Sequence, residues 1–309
     1  MTLPLLRKVP VTVFVAVKNE ARNLDRCLSG LDRAQRVVVV DSGSVDGTQE
    51  IAARLGAEVV QFRYSGGYPR KRQWALDTVP ISTDWVLMLD ADELVTPALW
   101  NEIASAVESA SGTDGFVIQK AFHFLGRRFR FGGFSFGAVL LFRRGCARYE
   151  RLVDDDPSGL DMEVHERMIV ERRIGRLREP LLHEDFKGLG AYLERHNRYS
   201  TWEASLRARY LETRRWGIEG VRPDLFGNTQ ERRRVLKLIV IKIPIEAELW
   251  FLYHYVLRLG FLEGVRGLIA CRIRSNYIRQ IRWKVYELRA NRRHSECDLH
   301  PAPGEVPHP

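Results

Sequence analysis

The chain has 309 residues, of which 45% are hydrophobic, and its formal net charge is +9 at pH 7. This length fits one large domain, alone or with an extension, and the composition supplies a sizeable core. There is no run of about 18 uncharged apolar residues, which argues against a spanning helix. The four cysteines are scattered, which argues against a disulfide framework or a zinc site.

The positive charge is concentrated in the C-terminal third of the chain. Residues 195–293 hold 22 Lys and Arg against 9 Asp and Glu, a net charge of +13, so the rest of the chain has a net charge of −4. This division predicts an anionic partner, which could be nucleic acid, a membrane surface or a phosphorylated substrate.

Strands and helices alternate through the first part of the chain. Apolar runs predict strands at 11–17, 36–40, 58–62 and 85–89, and amphipathic or capped stretches predict helices at 20–31, 48–55, 70–79 and 97–109. The alternation predicts an α/β fold with a Rossmann-like, mostly parallel sheet flanked by helices.

The remaining chain divides into an extended part and a helical part. Residues 115–182 are predicted to be mostly extended, and helices are predicted from 187 onward, including a long one at 231–258 that Pro244 could kink. We therefore expect a sheet domain at 1–186, a basic helical extension at 187–297 and a disordered, proline-rich tail at 298–309.

The sharpest motif follows the fourth predicted strand. Residues 85–89 are apolar, and Asp90 and Asp92 come directly after them. Ligands of open α/β sheets bind outside the carboxyl ends of the strands, and carboxylates there need a partner because unpaired buried charge is costly. A divalent metal such as Mg²⁺ or Mn²⁺ that bridges to a phosphate suits them. A solvated acidic turn is the alternative interpretation.

Two other strand ends carry polar residues that should meet this motif. Lys18-Asn19-Glu20 follows the first strand, and Asp41-Ser42-Gly43-Ser44 follows the second. Parallel strands present their carboxyl ends at one edge of a sheet, so we expect these groups to gather there. Lys71 and Arg72, at the start of the third predicted helix, could supply positive charge for a phosphate. Such an edge could hold a nucleotide together with a metal ion.

The motifs at these strand ends resemble those of the family-2 glycosyltransferases of the GT-A fold. The resemblance is carried by residues 13–20, 37–48 and 84–93, in that order and spacing. Residues 164–167, 181–183 and 192–200 resemble later motifs of the subgroup that includes lipopolysaccharide inner-core β-1,4-glucosyltransferases. The sheet domain would then be the nucleotide-sugar-binding and catalytic domain.

The resemblance implies a UDP-sugar donor, a divalent metal and inversion at the anomeric carbon. By motif position, Asp92 would ligate the metal and so take part in catalysis, and Asp90 would lie near the ribose or the diphosphate. Lys71 or Arg72 would approach the diphosphate.

The nucleotide itself would be bound by residues after the first two strands. By the same resemblance, Asp41 would contact the uracil or the ribose. Lys18 and Glu20 would line the nucleotide pocket.

Inverting transfer also needs a general base for the acceptor hydroxyl. The aspartates at the sheet edge are committed to charge neutralisation, so Glu166 is the candidate base. The alternative is a strand-surface glutamate paired with Arg167 or Arg172. His183 could be a further metal ligand or a hydrogen-bonded structural histidine. His165 would be structural or acceptor-binding.

The helical extension interleaves basic and apolar residues. The basic positions are Arg272, Arg274, Arg279, Arg282 and Lys284, and the apolar ones are Ile273, Tyr277, Ile278, Ile281 and Trp283. This pattern suits a helix lying in an anionic lipid interface. It would also suit nucleic acid, or a helix packed on the sheet domain with a solvated basic face. The resemblance favours the membrane, since acceptors in this subgroup are lipid-anchored.

The leading hypothesis is an inverting, metal-dependent glycosyltransferase that moves a hexose, with glucose expected, from a UDP-sugar to a lipid-linked saccharide such as the lipopolysaccharide inner core. It would be cytoplasmic and peripheral on the inner face of the cytoplasmic membrane, with no nucleic-acid partner. One alternative is a nucleotidyltransferase, although Lys18-Asn19-Glu20 replaces the usual Gly-rich phosphate loop. The other is a non-catalytic, membrane-associated scaffold with the same fold.

Overall fold

A computed structural model of the chain describes residues 7–154, 160–161, 167–185, 187–227 and 229–299. The strands in these residues are β1 (Val9–Val17), β2 (Ala34–Asp41), β3 (Glu58–Gln61), β4 (Trp85–Asp90), β5 (Glu93–Leu94), β6 (Thr113–Phe124), β7 (Arg127–Arg128), β8 (Phe136–Arg143), β9 (Ala147–Tyr149), β10 (Met168–Val170), β11 (Arg173–Arg176) and β12 (Leu181–His183). The helices are α1 (Ala21–Ser29), α2 (Thr48–Arg54), α3 (Lys71–Thr78), α4 (Pro97–Ser109), α5 (Gly188–Thr213), α6 (Thr229–Val240), α7 (Glu246–Leu252) and α8 (Gly264–Leu299).

Ten of the strands form one sheet in the order β3-β2-β1-β4-β8-β6-β12-β5, with β7 and β11 also paired to β6. The first four strands in this order are parallel. Strand β8 runs antiparallel to both of its neighbours, β4 and β6. Strands β9 and β10 form a separate antiparallel pair. The predicted α/β fold with a mostly parallel, Rossmann-like sheet flanked by helices is confirmed.

The central strands are buried on both faces, which explains their unbroken apolar sequence. In β4, Leu87 and Leu89 belong to the core beneath α1 and α4, whereas Val86 and Met88 belong to the core on the opposite face, where α3 packs. Phe14 of β1 fills that second face and is fully buried. Parallel pairing with β1 places Asp90 opposite Ala16 at the carboxyl end of the sheet.

The C-terminal helices have a core of their own. Ala204 and Ala208 of α5 pack with Ala247 of α7 and with Tyr277 and Ile281 of α8. Small side chains let the helices approach closely. A buried ion pair crosses the same interface. The Arg207 guanidinium donates to Glu203 Oε1 at 3.0 Å and to Glu246 Oε2 at 2.6 Å.

Two expectations for this helical part differ from the structure. The predicted helix at 231–258 is broken, since α6 ends at Val240 and α7 begins at Glu246. Pro244 lies in the break, because proline lacks the N–H that a continuing helix needs. The apolar residues expected to face lipid at Tyr277 and Ile281 are instead buried in the helical core.

An aromatic cluster joins the sheet to the helices. Phe124 and Phe129, at the tip of the β6–β7 hairpin, are buried with Ala270 of α8, and Phe134 lies edge-on to Trp250 of α7 at 5.9 Å between ring centroids. A domain boundary near residue 187 stays a prediction. None of the helices described is both long and apolar enough to cross a membrane.

His196 of α5 makes a testable contribution to the pH dependence of stability. Its ring lies 4.0 Å from the ring of Tyr192, and its Nδ1–H donates to the Tyr192 carbonyl at 2.8 Å. Burial lowers the pKa of His196 to about 4. In the unfolded chain, His196 binds a proton below about pH 6.5, whereas in the folded chain it stays neutral down to about pH 4. The free energy of unfolding therefore falls as the pH drops from about 6.5 to about 4.

We expect His196→Phe to remove this loss while keeping an aromatic ring. Between pH 7 and pH 4, the wild type should lose about 2 to 3 kcal/mol more of its free energy of unfolding than the variant. Urea unfolding at several pH values measures this difference. Parallel stability curves for the two proteins would show that His196 is not held neutral by the fold.

Candidate active site

The carboxyl ends of β1, β2 and β4 lie side by side, because these strands are parallel neighbours. Hydrogen bonds tie the loop after β1 to the loop after β2. The Asn19 N–H donates to Ser44 Oγ at 2.8 Å, and the Val45 N–H donates to Asn19 Oδ1 at 2.9 Å. Asn19 has a φ of 55°, a conformation that asparagine tolerates better than most residues. The structure therefore brings the three sequence motifs together at one edge.

Asp41 ends β2 and is fully buried at this edge. Its carboxylate accepts hydrogen bonds from the N–H and hydroxyl of Ser44, from Gln49 Nε2 at 2.8 Å and from Gln61 Nε2 at 3.2 Å. These donors shape the loop after β2. A bond from a uracil or a ribose to Asp41 would have to replace one of them.

Asp90 is held between two cations. Its Oδ1 accepts from Arg72, and its Oδ2 lies 3.3 Å from Lys120 Nζ. Lys120 also pairs with Glu93, whose other carboxylate oxygen accepts from the Asp90 N–H at 2.9 Å. Burial would raise the pKa of Asp90, but Arg72 and Lys120 hold it well below its usual range. Asp90 therefore stays ionised and keeps Arg72 and Lys120 at the edge.

Asp92 and His183 form a pair beside Asp90. Asp92 lies in the turn between β4 and β5, and His183 ends β12, which pairs with β5. Asp92 Oδ2 lies 3.1 Å from His183 Nε2. Burial would raise the pKa of Asp92, but His183 lowers it. Burial would lower the pKa of His183, but Asp92 raises it to about 8.

This pair fits a divalent cation in a specific way. Two neighbouring ligands of an octahedral ion with bonds of about 2.1 Å are about 3 Å apart, which matches the separation of Asp92 and His183. Asp92 Oδ1 is buried and has no hydrogen-bond partner among the described residues. The described residues contain no group of three or more His, Cys, Asp or Glu side chains placed to hold a metal. A cation here would take its other ligands from substrate oxygens and water, as Mg²⁺ commonly does.

Helix α5 and the segment before it form one wall of the site. Glu20 Oε1 lies 2.6 Å from Lys187 Nζ, and Glu20 Oε2 accepts from Asn23 at 2.9 Å. Asp185 accepts from Asn23 at 3.2 Å and pairs with Arg195 of α5 at 2.8 Å. Burial raises the pKa of Glu20, although Lys187 opposes the shift. These contacts fix the start of α5 against the loop after β1.

The two lysines predicted for the nucleotide site have different environments. Lys18 is exposed at the end of β1. Lys71 is buried, donates to the Val17 carbonyl at 2.7 Å and pairs with Asp161 at 2.8 Å. Burial lowers the pKa of Lys71, although Asp161 opposes the shift. Of the two residues expected at the diphosphate, Arg72 therefore reaches the acidic edge, and Lys71 connects Asp161 to the end of β1.

The candidate base lies outside the described residues. Glu166 and its neighbour His165 belong to residues 162–166, of which the structure gives no description. The two residues that flank this stretch are described. Asp161 pairs with Lys71, and the Arg167 carbonyl accepts a hydrogen bond from the Glu150 N–H at 3.0 Å.

Sequence reasoning missed four residues of the site. Lys120 lies in the middle of β6, and Phe136 opposite it exposes 42% of its surface, with its ring centroid 5.8 Å from Lys120 Nζ. Arg195 and Tyr199 lie on α5, and burial raises the pKa of Tyr199 to about 12. A lysine inside a strand pattern was the one local signal for Lys120. Arg195 and Tyr199 lie in the motif at 192–200, although the motif gave neither of them a role, and Phe136 reaches the site only through strand pairing.

The site thus combines clustered carboxylates with cationic side chains at the carboxyl ends of the parallel strands. Asp92 and His183 can hold a metal ion, and Arg72 and Lys120 can attract phosphate oxygens. The solvent-exposed ring of Phe136 lies beside Lys120 at this site. This set can bind and polarise a phosphorylated ligand.

Residues 12–151 match the family model described as glycosyl transferase family 2. A lipopolysaccharide core biosynthesis glycosyltransferase, LpsC of Rhizobium meliloti (strain 1021), is 28% identical over 206 residues, which are 65% of this chain and 72% of that protein. The family match contains most of β1, all of β2 to β4, and both Asp90 and Asp92.

Two solved structures are also similar. A mannosyltransferase from Pyrobaculum calidifontis, in complex with GDP-Man and Mn²⁺, is 15% identical, with a TM-score of 0.45 over 90% of this chain and 87% of that one. Glucosyl-3-phosphoglycerate synthase from Mycobacterium tuberculosis, in complex with Mn²⁺, UDP and glucosyl-3-phosphoglycerate, is 22% identical, with a TM-score of 0.31 over 39% of this chain and 46% of that one.

Proposed function

Because the chain is a glycosyltransferase with a family-2 domain at residues 12–151, we propose that it transfers a hexose, with glucose expected, from a UDP-sugar to a lipid-linked saccharide with inversion at the anomeric carbon. The observation that carries this proposal is the Asp92–His183 pair, 3.1 Å apart, beside the Asp90 carboxylate that Arg72 and Lys120 neutralise.

The donor would lie across the edge formed by β1, β2 and β4. Asp41 and Glu20 would face the nucleoside, Lys18 would border the nucleotide pocket, and Arg72 would contact the diphosphate. Asp90 would hold Arg72 in place near the ribose or the diphosphate. A bidentate guanidinium suits a diphosphate better than the buried ammonium of Lys71 does.

A divalent cation, Mg²⁺ or Mn²⁺, would be held by Asp92 and His183. When bound, it would neutralise the charge that develops on the departing UDP. Arg72 and Lys120, which both pair with Asp90, would stabilise the same charge. Asp92 would have to be ionised to bind the cation.

We assign the general base to Glu166 on its place in the motif at residues 164–167. Its carboxylate would take the proton of the acceptor hydroxyl while that oxygen bonds to the anomeric carbon and the bond from this carbon to the diphosphate breaks. The proton ends on Glu166, and UDP leaves with the electron pair.

Replacing Glu166 by Gln tests this assignment. We expect transfer to fall by about 10²-fold or more, while the affinity for UDP in the presence of Mn²⁺ stays within about twofold of wild type. Glu163→Gln in the same segment is the matched control. Transfer at the wild-type rate in Glu166→Gln would remove Glu166 as the base.

Two observations support a proposal for the acceptor and the cellular location. LpsC acts in lipopolysaccharide core biosynthesis, and residues 195–293 carry a net charge of +13. We therefore propose a lipopolysaccharide-core or other lipid-linked acceptor and a peripheral position on the anionic inner face of the cytoplasmic membrane.

A screen of UDP-, GDP- and TDP-sugars with Mn²⁺ tests the donor. A ligand that binds only the folded chain at 100 times its Kd stabilises it by about 2.7 kcal/mol, so the correct donor should raise the melting temperature. The largest shift is expected with a UDP-hexose, and turnover should release UDP. Release of pyrophosphate would indicate a nucleotidyltransferase, and no turnover with any donor and acceptor would indicate a scaffold.

A further inference from the structure

The connection between α7 and α8 exposes many large apolar side chains. We call residues 249–265 the apolar turn. Nine of the 23 exposed large hydrophobic residues in the described chain lie in it: Leu249, Leu252, Tyr253, Val256, Leu257, Leu259, Phe261, Leu262 and Val265. Contiguous exposed apolar surface of this kind marks a site of contact with a protein or a membrane.

Buried contacts on the protein-facing side of the apolar turn fix its conformation. The Glu263 carboxylate is buried and accepts from the Arg130 N–H at 2.6 Å and the Phe131 N–H at 2.9 Å. The His254 ring N–H donates to the Gly132 carbonyl at 2.6 Å, and Trp250 stacks on His254 at 3.9 Å. These contacts bind the turn to the loop before β8. The outward display of apolar side chains is therefore built into the fold.

Backbone geometry contributes to the same display. A π-helical turn, Tyr253–Leu257, and a 3-10 turn, Gly260–Glu263, connect the two helices. Gly260 is buried so closely that a Cβ there would lie 2.7 Å from the His254 carbonyl oxygen. The close approach lets the chain reverse direction tightly, which leaves Leu257 and Leu259 outside.

The exposed charges within the apolar turn and directly after it are positive, whereas Glu248, one residue before it, is an exposed carboxylate that pairs with Arg279 at 2.7 Å. The two charged residues of the turn are Arg258, which is exposed, and Glu263, which is buried and paired with Arg127. Arg266, one residue beyond the turn, is also exposed. The apolar turn therefore presents no exposed carboxylate.

A basic cleft lies next to the apolar turn, between α7 and α8. Its cavity volume is about 270 Å³, and its lining includes Phe251, Arg272, Asn276 and Arg279. Arg279 is paired with Glu248 at 2.7 Å, whereas no carboxylate of the described residues lies within ion-pair distance of Arg272. The Arg272 guanidinium lies 5.8 Å from the centroid of the Phe251 ring. One cation in the cleft is thus available to an anionic group.

We propose that the apolar turn and the Arg272 cleft form one docking surface for an anionic phospholipid bilayer. The apolar side chains would enter the lipid interface, and Arg258, Arg266 and Arg272 would contact phosphate groups. Nine exposed apolar side chains do not suit nucleic acid, which selects exposed cations and polar groups. The proposal deepens the proposed function and rests on it, since a lipid-linked acceptor has to be met at a membrane.

The test is co-sedimentation of the full chain with vesicles of phosphatidylglycerol and phosphatidylcholine, without donor or metal. Wild type should bind these vesicles more tightly than vesicles of phosphatidylcholine alone. Leu257→Glu with Val265→Glu, at positions that are 69% and 73% exposed, should weaken binding by roughly tenfold or more. Arg272→Gln should weaken it by roughly fivefold.

The matched control is Leu225→Glu with Phe226→Glu, because these residues are 63% and 97% exposed and lie outside the apolar turn. It should bind vesicles like wild type. The proposal is overturned if wild type does not bind anionic vesicles, if the control weakens binding as much as the turn variant, or if the turn variant changes only the oligomeric state.

Affinity for UDP with Mn²⁺, measured in solution, separates this proposal from the proposed function. Vesicle binding without UDP binding would overturn the proposed function alone. UDP binding without vesicle binding would overturn the docking surface alone.

Discussion

Asp92→Asn should reduce transfer by about 10³-fold or more while the chain stays folded. Asparagine has nearly the same shape as aspartate, but it lacks the negative charge that a divalent cation needs and that pairs with His183 at 3.1 Å. Loss of the stabilisation that a metal gives to a leaving diphosphate costs several kcal/mol, and each 1.36 kcal/mol is about tenfold in rate. Steady-state rates with saturating donor measure this effect.

Binding data separate a catalytic defect from a structural one. In wild type, Mn²⁺ should increase the affinity for UDP by about tenfold or more, and in Asp92→Asn this increase should disappear. Asp84→Asn is the matched control, because Asp84 precedes the same strand and its side chain is 75% exposed. Normal turnover by Asp92→Asn, or equal losses in both variants, would refute the metal assignment.

Lys120→Met should have the largest effect on stability among the residues of the site. Lys120 is 8% exposed and lies between Glu93, which is 1% exposed, and Asp90. Removal of one partner from a buried ion pair typically costs about 3 to 5 kcal/mol, because the other charge stays buried without compensation. We expect a loss of about this size in the free energy of unfolding, measured by urea denaturation.

A second variant isolates the physical cause of this loss. Lys120→Met with Glu93→Gln removes both charges, and Asp90 keeps Arg72 as its partner. The double variant should recover most of the lost stability, because the uncompensated carboxylate is gone. Lys8→Met, at an exposed lysine, should stay within about 0.5 kcal/mol of wild type. A double variant as unstable as Lys120→Met would show that packing, and not charge, explains the effect.

The sequence predicted the parallel half of the sheet and the convergence of its strand ends because both depend on local patterns. Apolar runs at 11–17, 36–40 and 85–89 fix three strands, and parallel pairing places Glu20, Asp41 and Asp90 at one edge. The position of these three residues at one edge was therefore predictable from the strand pattern alone.

The second half of the site was not predictable in the same way. Lys120 reaches Asp90, which is 30 residues away in the chain, because β8 is inserted antiparallel between β4 and β6. His183 reaches Asp92 through the pairing of β12 with β5. No local periodicity specifies pairings of this kind, so the sequence left His183 open as a further metal ligand or a hydrogen-bonded structural histidine.

The position of the exposed apolar surface was not predictable for a similar reason. Basic and apolar residues alternate in α8 around Tyr277 and Ile281, which is the pattern of an interfacial helix. In the folded chain, these apolar residues pack on α5 and α7. The exposed apolar residues lie instead in the apolar turn, where an interrupted helical geometry turns them outward.

A crystal structure of the full chain with UDP and Mn²⁺ tests the central claim most directly. The anomalous signal of Mn²⁺ should appear within coordination distance of both Asp92 and His183, with diphosphate oxygens completing the shell and Arg72 on the diphosphate. Mn²⁺ or UDP bound elsewhere, with Asp92 and His183 still paired only to each other, would contradict it.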